Sequence, residues 1–139
     1  MDNSVYDYIV VGAGSAGCVV ARRLIEKHFR VLLIEAGTSD TNPYIHIPMG
    51  YGKLFKNKKI NWCYEGEPEP FLNNRRSYQP RGKVLGGTGS INGMIYVRGQ
   101  PEDFDAWESA GCHGWGFDSV LPYFKKSQNQ VRGESYYHG

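Results

Sequence analysis

Two short aliphatic runs set the pattern of the first third of the chain. Ile9-Val10-Val11, entered from Asp7-Tyr8, and Val31-Leu32-Leu33-Ile34, held between Arg30 and Glu35, are continuous rather than alternating. That is how strands read when both faces of a parallel sheet are covered. Between them, Gly12-Ala13-Gly14-Ser15-Ala16-Gly17 leads into about eleven residues of helical periodicity. Gly17, Val20, Ala21, Leu24 and Ile25 fall on one stripe of that helix, and Arg22, Arg23, Glu26 and Lys27 fill the other. The pattern predicts a strand, a glycine turn, a helix and a second, parallel strand, joined by a right-handed crossover. Gly17 lies on the packed stripe, where the missing side chain lets helix and strands close up.

Beyond Glu35 the pattern weakens. Ala36 to Pro43 reads as loop, and Pro48, Gly50 and Gly52 break up the next stretch, so no regular structure is expected there. Ile60, Trp62 and Tyr64 alternate with Asn61, Cys63 and Glu65, and a second extended segment runs from Arg75 to Gln79, predicting strands of a smaller β subdomain separated by Pro68 and Pro70. Arg81 to Gly99 holds six glycines among small polar residues and reads as exposed loop rather than core. Pro101 can start a helix whose first turn carries Glu102 and Asp103 and which ends near Gly111. Asp118 to Gln128 reads as another helix despite Pro122.

Composition narrows the class. The 139 residues are 40% hydrophobic and 22% charged with a formal net charge of +2, one domain's worth of ordinary protein and neither disordered nor polybasic. No apolar run is long enough for a transmembrane helix. Met1 to Ser4 carries no cationic segment, so neither a secretory leader nor a transit peptide is expected, and the default location is cytoplasmic, with peripheral membrane association left open. Cys18, Cys63 and Cys112 are odd in number and lack metal-ligand spacing, so they read as reduced thiols and no metal site is expected. Lys53, Lys56, Lys58 and Lys59 read as a solvated face, and nucleic acid is not an expected partner.

The first glycine cluster carries the first chemical signal. A GxGxxG hexamer alone is weak, but here it leaves an aliphatic strand, opens an amphipathic helix and is followed, eighteen residues after Gly17, by Glu35 at the end of the next strand. Gly12 permits the tight turn and Gly14 a close approach of a pyrophosphate. The helix start at Ser15 and Ala16 offers unpaired N–H groups and a partial positive charge. Glu35 can accept from the ribose hydroxyls of an adenosine and would repel a 2′-phosphate, which leaves FAD and NAD open and disfavours NADP.

A second backbone-exposing segment, Arg81-Gly82-Lys83-Val84-Leu85-Gly86-Gly87-Thr88-Gly89-Ser90-Ile91-Asn92-Gly93, follows about fifty residues after Glu35. It lacks P-loop spacing, and two separated glycine surfaces suit an extended cofactor better than a mononucleotide. Together with Tyr8 to Cys18, Leu33 to Gly37, Asn92 to Gly99 and Gly114 to Phe124, this block resembles the glucose-methanol-choline (GMC) oxidoreductases, in particular their choline and alcohol dehydrogenase branch.

The resemblance implies an α/β fold: the N-terminal portion of an FAD-type Rossmann domain, a doubly wound parallel sheet, with an additional irregular β subdomain. It further implies FAD lying along Gly12, Gly14, Ser15, Ala16, Gly17, Glu35 and Ala36, with Arg81, Val84, Gly86 and Gly87 beside the pyrophosphate and flavin. Trp62, Asn92, Gly93, Met94 and Ile95 fall where such enzymes touch the cofactor. From the residues alone, Trp62 reads equally as a packing aromatic and Asn92 as an Asx-turn residue. Ile91 stands where some relatives carry a histidine bonded to flavin, which points to noncovalent FAD. Thr88-Gly89-Ser90 stands where many relatives run Ser or Thr, which leaves that loop more flexible.

The catalytic histidine of such enzymes lies near their C-terminus, and none of His28, His46, His113 and His138 matches it, so no catalytic residue is assigned. A doubly wound sheet also needs more strands than two. The chain therefore reads as the front of a longer enzyme whose substrate domain lies elsewhere, with an alcohol as substrate and a quinone-type acceptor or oxygen taking the electrons. The alternatives are a non-catalytic FAD or ADP-binding module and an NAD-dependent dehydrogenase.

Overall fold

In the computed structural model, which describes residues 5–139, the two aliphatic runs form strands β1 (Tyr8–Val11) and β2 (Val31–Ile34). They pair in parallel, Ile9 opposite Leu32 and Val10 opposite Leu33. Helix α1 (Ser15–Ile25) crosses between them. Residues 1–4, on which the expectation of no leader rests, lie outside the described residues. Asp7 accepts from the Arg30 backbone N–H at 2.7 Å and staples the start of β1 to that of β2.

The expected coverage of both faces is not met. Packing on β1 and β2 comes from α1, and Val11 is 83% and Ile9 60% exposed. The stripe on α1 is likewise only partly used: Ala21 is buried, whereas Val20 and Ile25 are exposed. Both strands therefore carry aliphatic side chains that α1 alone does not cover. Gly17 behaves as expected, since a Cβ there would fall on the Gly12 carbonyl oxygen and reach Val10.

The stretch after β2 is more regular than its prolines suggested. Helix α2 (Pro43–His46) starts on Asn42, whose side chain accepts from the Tyr44 N–H at 3.0 Å. A 3₁₀ turn (Pro48–Gly50) leads straight into α3 (Tyr51–Leu54). Here proline occupies helix starts, where its missing N–H costs nothing.

The β subdomain exists with shifted bounds. β3 (Tyr64–Glu69) pairs antiparallel with β4 (Arg75–Gln79), and Pro68 lies inside β3, beyond an irregularity between Glu65 and Pro68, rather than between strands. A two-stranded ribbon has a free edge on each strand, and a proline is tolerated there. Ile60 and Asn61 are not in β3; Asn61 instead makes an isolated antiparallel bridge to Gly82.

The largest departure concerns the second glycine block. Val84 and Ile91 are fully buried and, with Leu54 and Ile60, form the core of the unit that ends at Ile95. The segment stays irregular and largely exposed, as its glycines predict, but Val84, Gly87 and Ile91 are buried in it, and its small residues let the backbones pack around them.

The second unit, Tyr96–Gly139, is helical. Helix α4 (Pro101–Ser109) opens with a capping box between Gln100 and Asp103. Helix α5 (Phe117–Lys126) begins one residue before the expected start. Phe104, Phe117 and Leu121 form its core. Gly116 has no side chain to cap α5, and α4 supplies the acceptors: Asp105 takes the Phe117 N–H at 2.9 Å, and Glu108 takes those of Trp115 and Gly116, each at 2.9 Å. The Gly116 N–H, followed by that of Trp115, holds the Glu108 carboxyl below its ordinary range. A depressed folded-state pKa stabilises above the unfolded value, and that contribution is lost as pH falls through the folded one. The near-UV dichroism of the Trp107 and Trp115 pair, 6.2 Å apart, is therefore expected to survive to a higher temperature in wild type than in Glu108→Gln at neutral pH. The gap between the two should close at low pH.

Candidate functional site

The first glycine turn and the second glycine block, more than sixty residues apart in sequence, meet backbone to backbone at Ala13. This residue is 1% exposed. Its N–H donates to Glu35 Oε2 at 2.8 Å, and its carbonyl accepts from the Gly86 N–H at 2.9 Å. Glu35 Oε1 accepts from the Gly37 N–H at 2.9 Å. One carboxylate thus ties the glycine turn to the end of β2, and one carbonyl ties that turn to the second block.

Gly87 completes the junction. Its φ is +59°, and a Cβ there would lie 2.9 Å from Gly14 Cα, so the two chains touch with no room for a side chain. The Gly82 N–H donates to Thr88 Oγ1 at 3.1 Å and closes the loop on itself. The Leu85 N–H reaches the Thr38 carbonyl at 2.9 Å, where Val84 and Thr38 form a parallel bridge beyond β2. At the start of α1, Gly14 occupies the cap position with no side-chain hydrogen bond, and the first helical bond runs from Cys18 N to Gly14 O. The N–H groups of Ser15, Ala16 and Gly17 thereby precede the helical ladder, and helix dipole and free donors point at the same surface.

Of the residues singled out from sequence, Gly12, Gly14, Ser15, Ala16, Gly17, Glu35, Gly86 and Gly87 come together at this junction, with Ala36 and Arg81 flanking it. Val84 does not offer a side chain, being enclosed in the core. Trp62 is 43% exposed, stacks on Tyr64 with ring centroids 5.9 Å apart and lies under Lys83 Nζ at 4.4 Å. Asn92 is an Asx-turn residue: its Oδ1 accepts from the Met94 N–H at 2.8 Å. Gly93, Met94 and Ile95 follow exposed. Asn92 and Met94, with Ser90, Asp40, Tyr44 and Ile47, border a cleft of about 200 Å³ between the second block and the α2 segment.

Two residues at the junction escaped the sequence reading. Ala13 is an unremarked middle position whose burial alone marks it. Asn61 is 1% exposed and bonded through both amide atoms; it falls on the polar phase of the Ile60 to Glu65 alternation, so nothing in the sequence marked it. Among the described residues no cluster of His, Cys, Asp or Glu is placed to hold a metal, and no helix is long and apolar enough to cross a membrane.

The family model described as GMC oxidoreductase matches residues 6–136. The chain belongs to the GMC oxidoreductase family. This GMC chain is 52% identical over 137 residues to an alcohol dehydrogenase [acceptor] of Pseudomonas putida, covering 97% of the chain and 25% of that protein. It is 50% identical over 135 residues to an oxygen-dependent choline dehydrogenase of Vibrio vulnificus (strain YJ016), covering 96% and 24%. The chain therefore spans about a quarter of the length of the curated relatives it matches.

Among solved structures it superposes on a pyridoxine 4-oxidase from Mesorbium loti with a TM-score of 0.89 and 38% identity, over 97% of this chain and 27% of that one. A formate oxidase of Aspergillus oryzae RIB40, studied for modification of its FAD, gives a TM-score of 0.81 at 34% identity over 97% and 25%. The GMC junction in this chain has the makings of a dinucleotide cradle. It offers backbone donors, no side chain at the point of contact and a carboxylate at the end of the second strand.

Proposed function

We propose that this chain supplies the FAD-binding portion of an oxidoreductase that oxidises a primary alcohol, choline-like, aliphatic or aryl, and passes the electrons to an acceptor other than NAD. The carrying observation is the closure of two glycine blocks on each other at Ala13, Gly14, Gly86 and Gly87. A dinucleotide turn alone would serve NAD as well; a second glycine surface fused to it suits a cofactor that extends well past the pyrophosphate. Family membership and the names of the relatives support the same reading.

The residues would divide the work. The N–H groups at the start of α1 would face the pyrophosphate, where helix dipole and unpaired donors favour an anion. Glu35, at the end of β2, would stand beside the adenosine ribose. Arg81 and the Gly86 to Ile95 stretch would run beside the remainder, with Trp62 and Lys83 at its margin. Bound FAD would supply a two-electron acceptor for a hydride from the alcohol carbon. Ile91, an aliphatic side chain turned into the core, supports noncovalent attachment. The exposed aliphatic faces of β1, β2 and α1 support further sheet strands and a substrate domain in the whole protein, which would also contribute the base that takes the alcohol proton. Whether oxygen or a quinone-type acceptor reoxidises the flavin would be set there too. Cytoplasmic location remains part of the proposal.

The absorption spectrum of the purified whole protein that carries this chain tests the reading. Flavin bands near one equivalent are expected, and denaturation is expected to release the chromophore into the filtrate. A chromophore that stays with the denatured chain would overturn noncovalent attachment. A folded chain that takes up NAD and leaves FAD in solution would overturn the cofactor assignment.

A further inference from the structure

We infer that Asn61 is a positioning residue for the cofactor surface, holding the second glycine block in register through its side-chain oxygen while its amide nitrogen serves only the fold. The inference rests on the flavin reading above. Asn61 is 1% exposed, and its amide is divided between two tasks. Oδ1 accepts from the Arg81 N–H and from the Cys63 N–H, each at 2.9 Å. Nδ2 donates to the Phe55 carbonyl at 2.7 Å, at the end of α3, with the Tyr78 hydroxyl 3.5 Å away.

The oxygen acts on the block directly. Arg81 is its first residue, and the zipper that continues from it consists of Trp62 N–H to Arg81 O at 2.9 Å and Lys83 N–H to Ile60 O at 2.7 Å. From there the chain has only a few residues to reach Gly86, whose N–H meets Ala13, and Gly87, which touches Gly14. Cys63 is held in left-handed backbone, φ 53°, a conformation a non-glycine residue adopts only where its surroundings impose it. The Oδ1 bond to its N–H is one such restraint. An acceptor and a donor at this one point are both required, because two N–H groups converge on one side and a carbonyl on the other; a buried group left without its partner is costly.

The test separates the two arms by titrating the FAD-free protein with FAD and recording the visible dichroism of the bound flavin alongside its dissociation constant. Asn61→Leu, isosteric and without polar atoms, is expected to weaken FAD at least about tenfold and to alter the flavin dichroism. Asn61→Gln, which moves the acceptor out by one methylene, is expected to do the same and carries the test should the leucine variant not fold. Asn61→Asp keeps the acceptor and loses the donor to Phe55, whose carbonyl retains the hydrogen bond from the Tyr78 hydroxyl. It is expected to lower the melting temperature yet bind FAD within about threefold of wild type with an unchanged band. Leu54→Ala, a cavity in the same core, is expected to lower the melting temperature likewise and to leave the flavin signature alone.

Wild-type affinity and dichroism in Asn61→Gln would overturn the inference. So would an Asn61→Asp protein as impaired as Asn61→Gln, or a Leu54→Ala protein that loses FAD to the same degree. If wild type itself binds no flavin, the functional reading fails and this one with it, an outcome distinct from wild type binding FAD while the Asn61 variants bind it equally well.

Discussion

Gly82→Ala is expected to strip FAD from the protein and to lower its melting temperature steeply. An added Cβ would fall on the Gly87 carbonyl, with Thr88 N 2.7 Å away. The obstacle is backbone, so no rotamer change relieves it. Either the Gly82 N–H to Thr88 Oγ1 bond opens or Gly87 moves off Gly14, and each undoes the junction from which the cofactor reading is drawn. Overpacking of this kind costs about 3 kcal/mol, a large share of the ~5–15 kcal/mol that holds a domain folded. Thermal unfolding with and without added FAD is the measurement. In the variant the unfolding temperature should be low and insensitive to FAD, because ligand stabilisation appears only where the folded form binds. A variant that retains a wild-type shift with FAD would show that the second glycine block does not form the cofactor surface.

Glu35→Gln should be nearly as damaging, for a reason the sequence alone did not suggest. The expectation from spacing was a carboxylate waiting for a ribose. In the structure that carboxylate is already engaged, one oxygen with the Ala13 N–H and the other with the Gly37 N–H. Glutamine offers a single acceptor and turns an N–H₂ group toward the second donor, leaving a part-buried N–H unpaired at a cost of about 1–3 kcal/mol. FAD should bind at least about tenfold more weakly. The informative control is the protein without FAD: if Glu35 pins the turn, the variant melts lower in the absence of cofactor as well. An unchanged melting temperature without FAD, with weakened binding, would return Glu35 to the ribose role alone.

Much of the first unit was legible because its information is local. The strand, turn, helix and strand from Tyr8 to Ile34 follow from side-chain periodicity and glycine placement, both of which act within a few residues. The same holds for the start of α4, written in Pro101, Glu102 and Asp103. The candidate cofactor residues Gly12, Gly14 and Glu35 were readable because the motif sits between two elements that are themselves readable. Segments governed by proline were misjudged, since proline can end a helix or begin one, as at Pro43 and Pro48, and can sit in a ribbon strand, as at Pro68. Its local signal is the same in each case.

The sequence by itself determined the parallel β1 and β2 pair, the dinucleotide turn and the presence of a second glycine block, because each depends on the residues' own conformational preferences. Only the tertiary structure decided that this block sends Val84 and Ile91 into the core, that it closes on the first at Ala13, and that Asn61 and Glu35 spend their polar atoms holding backbone in place. Those outcomes depend on which N–H and C=O groups meet across tens of residues, and each buried one must find a partner. Such pairing is set by the packed arrangement and leaves no periodic trace along the chain.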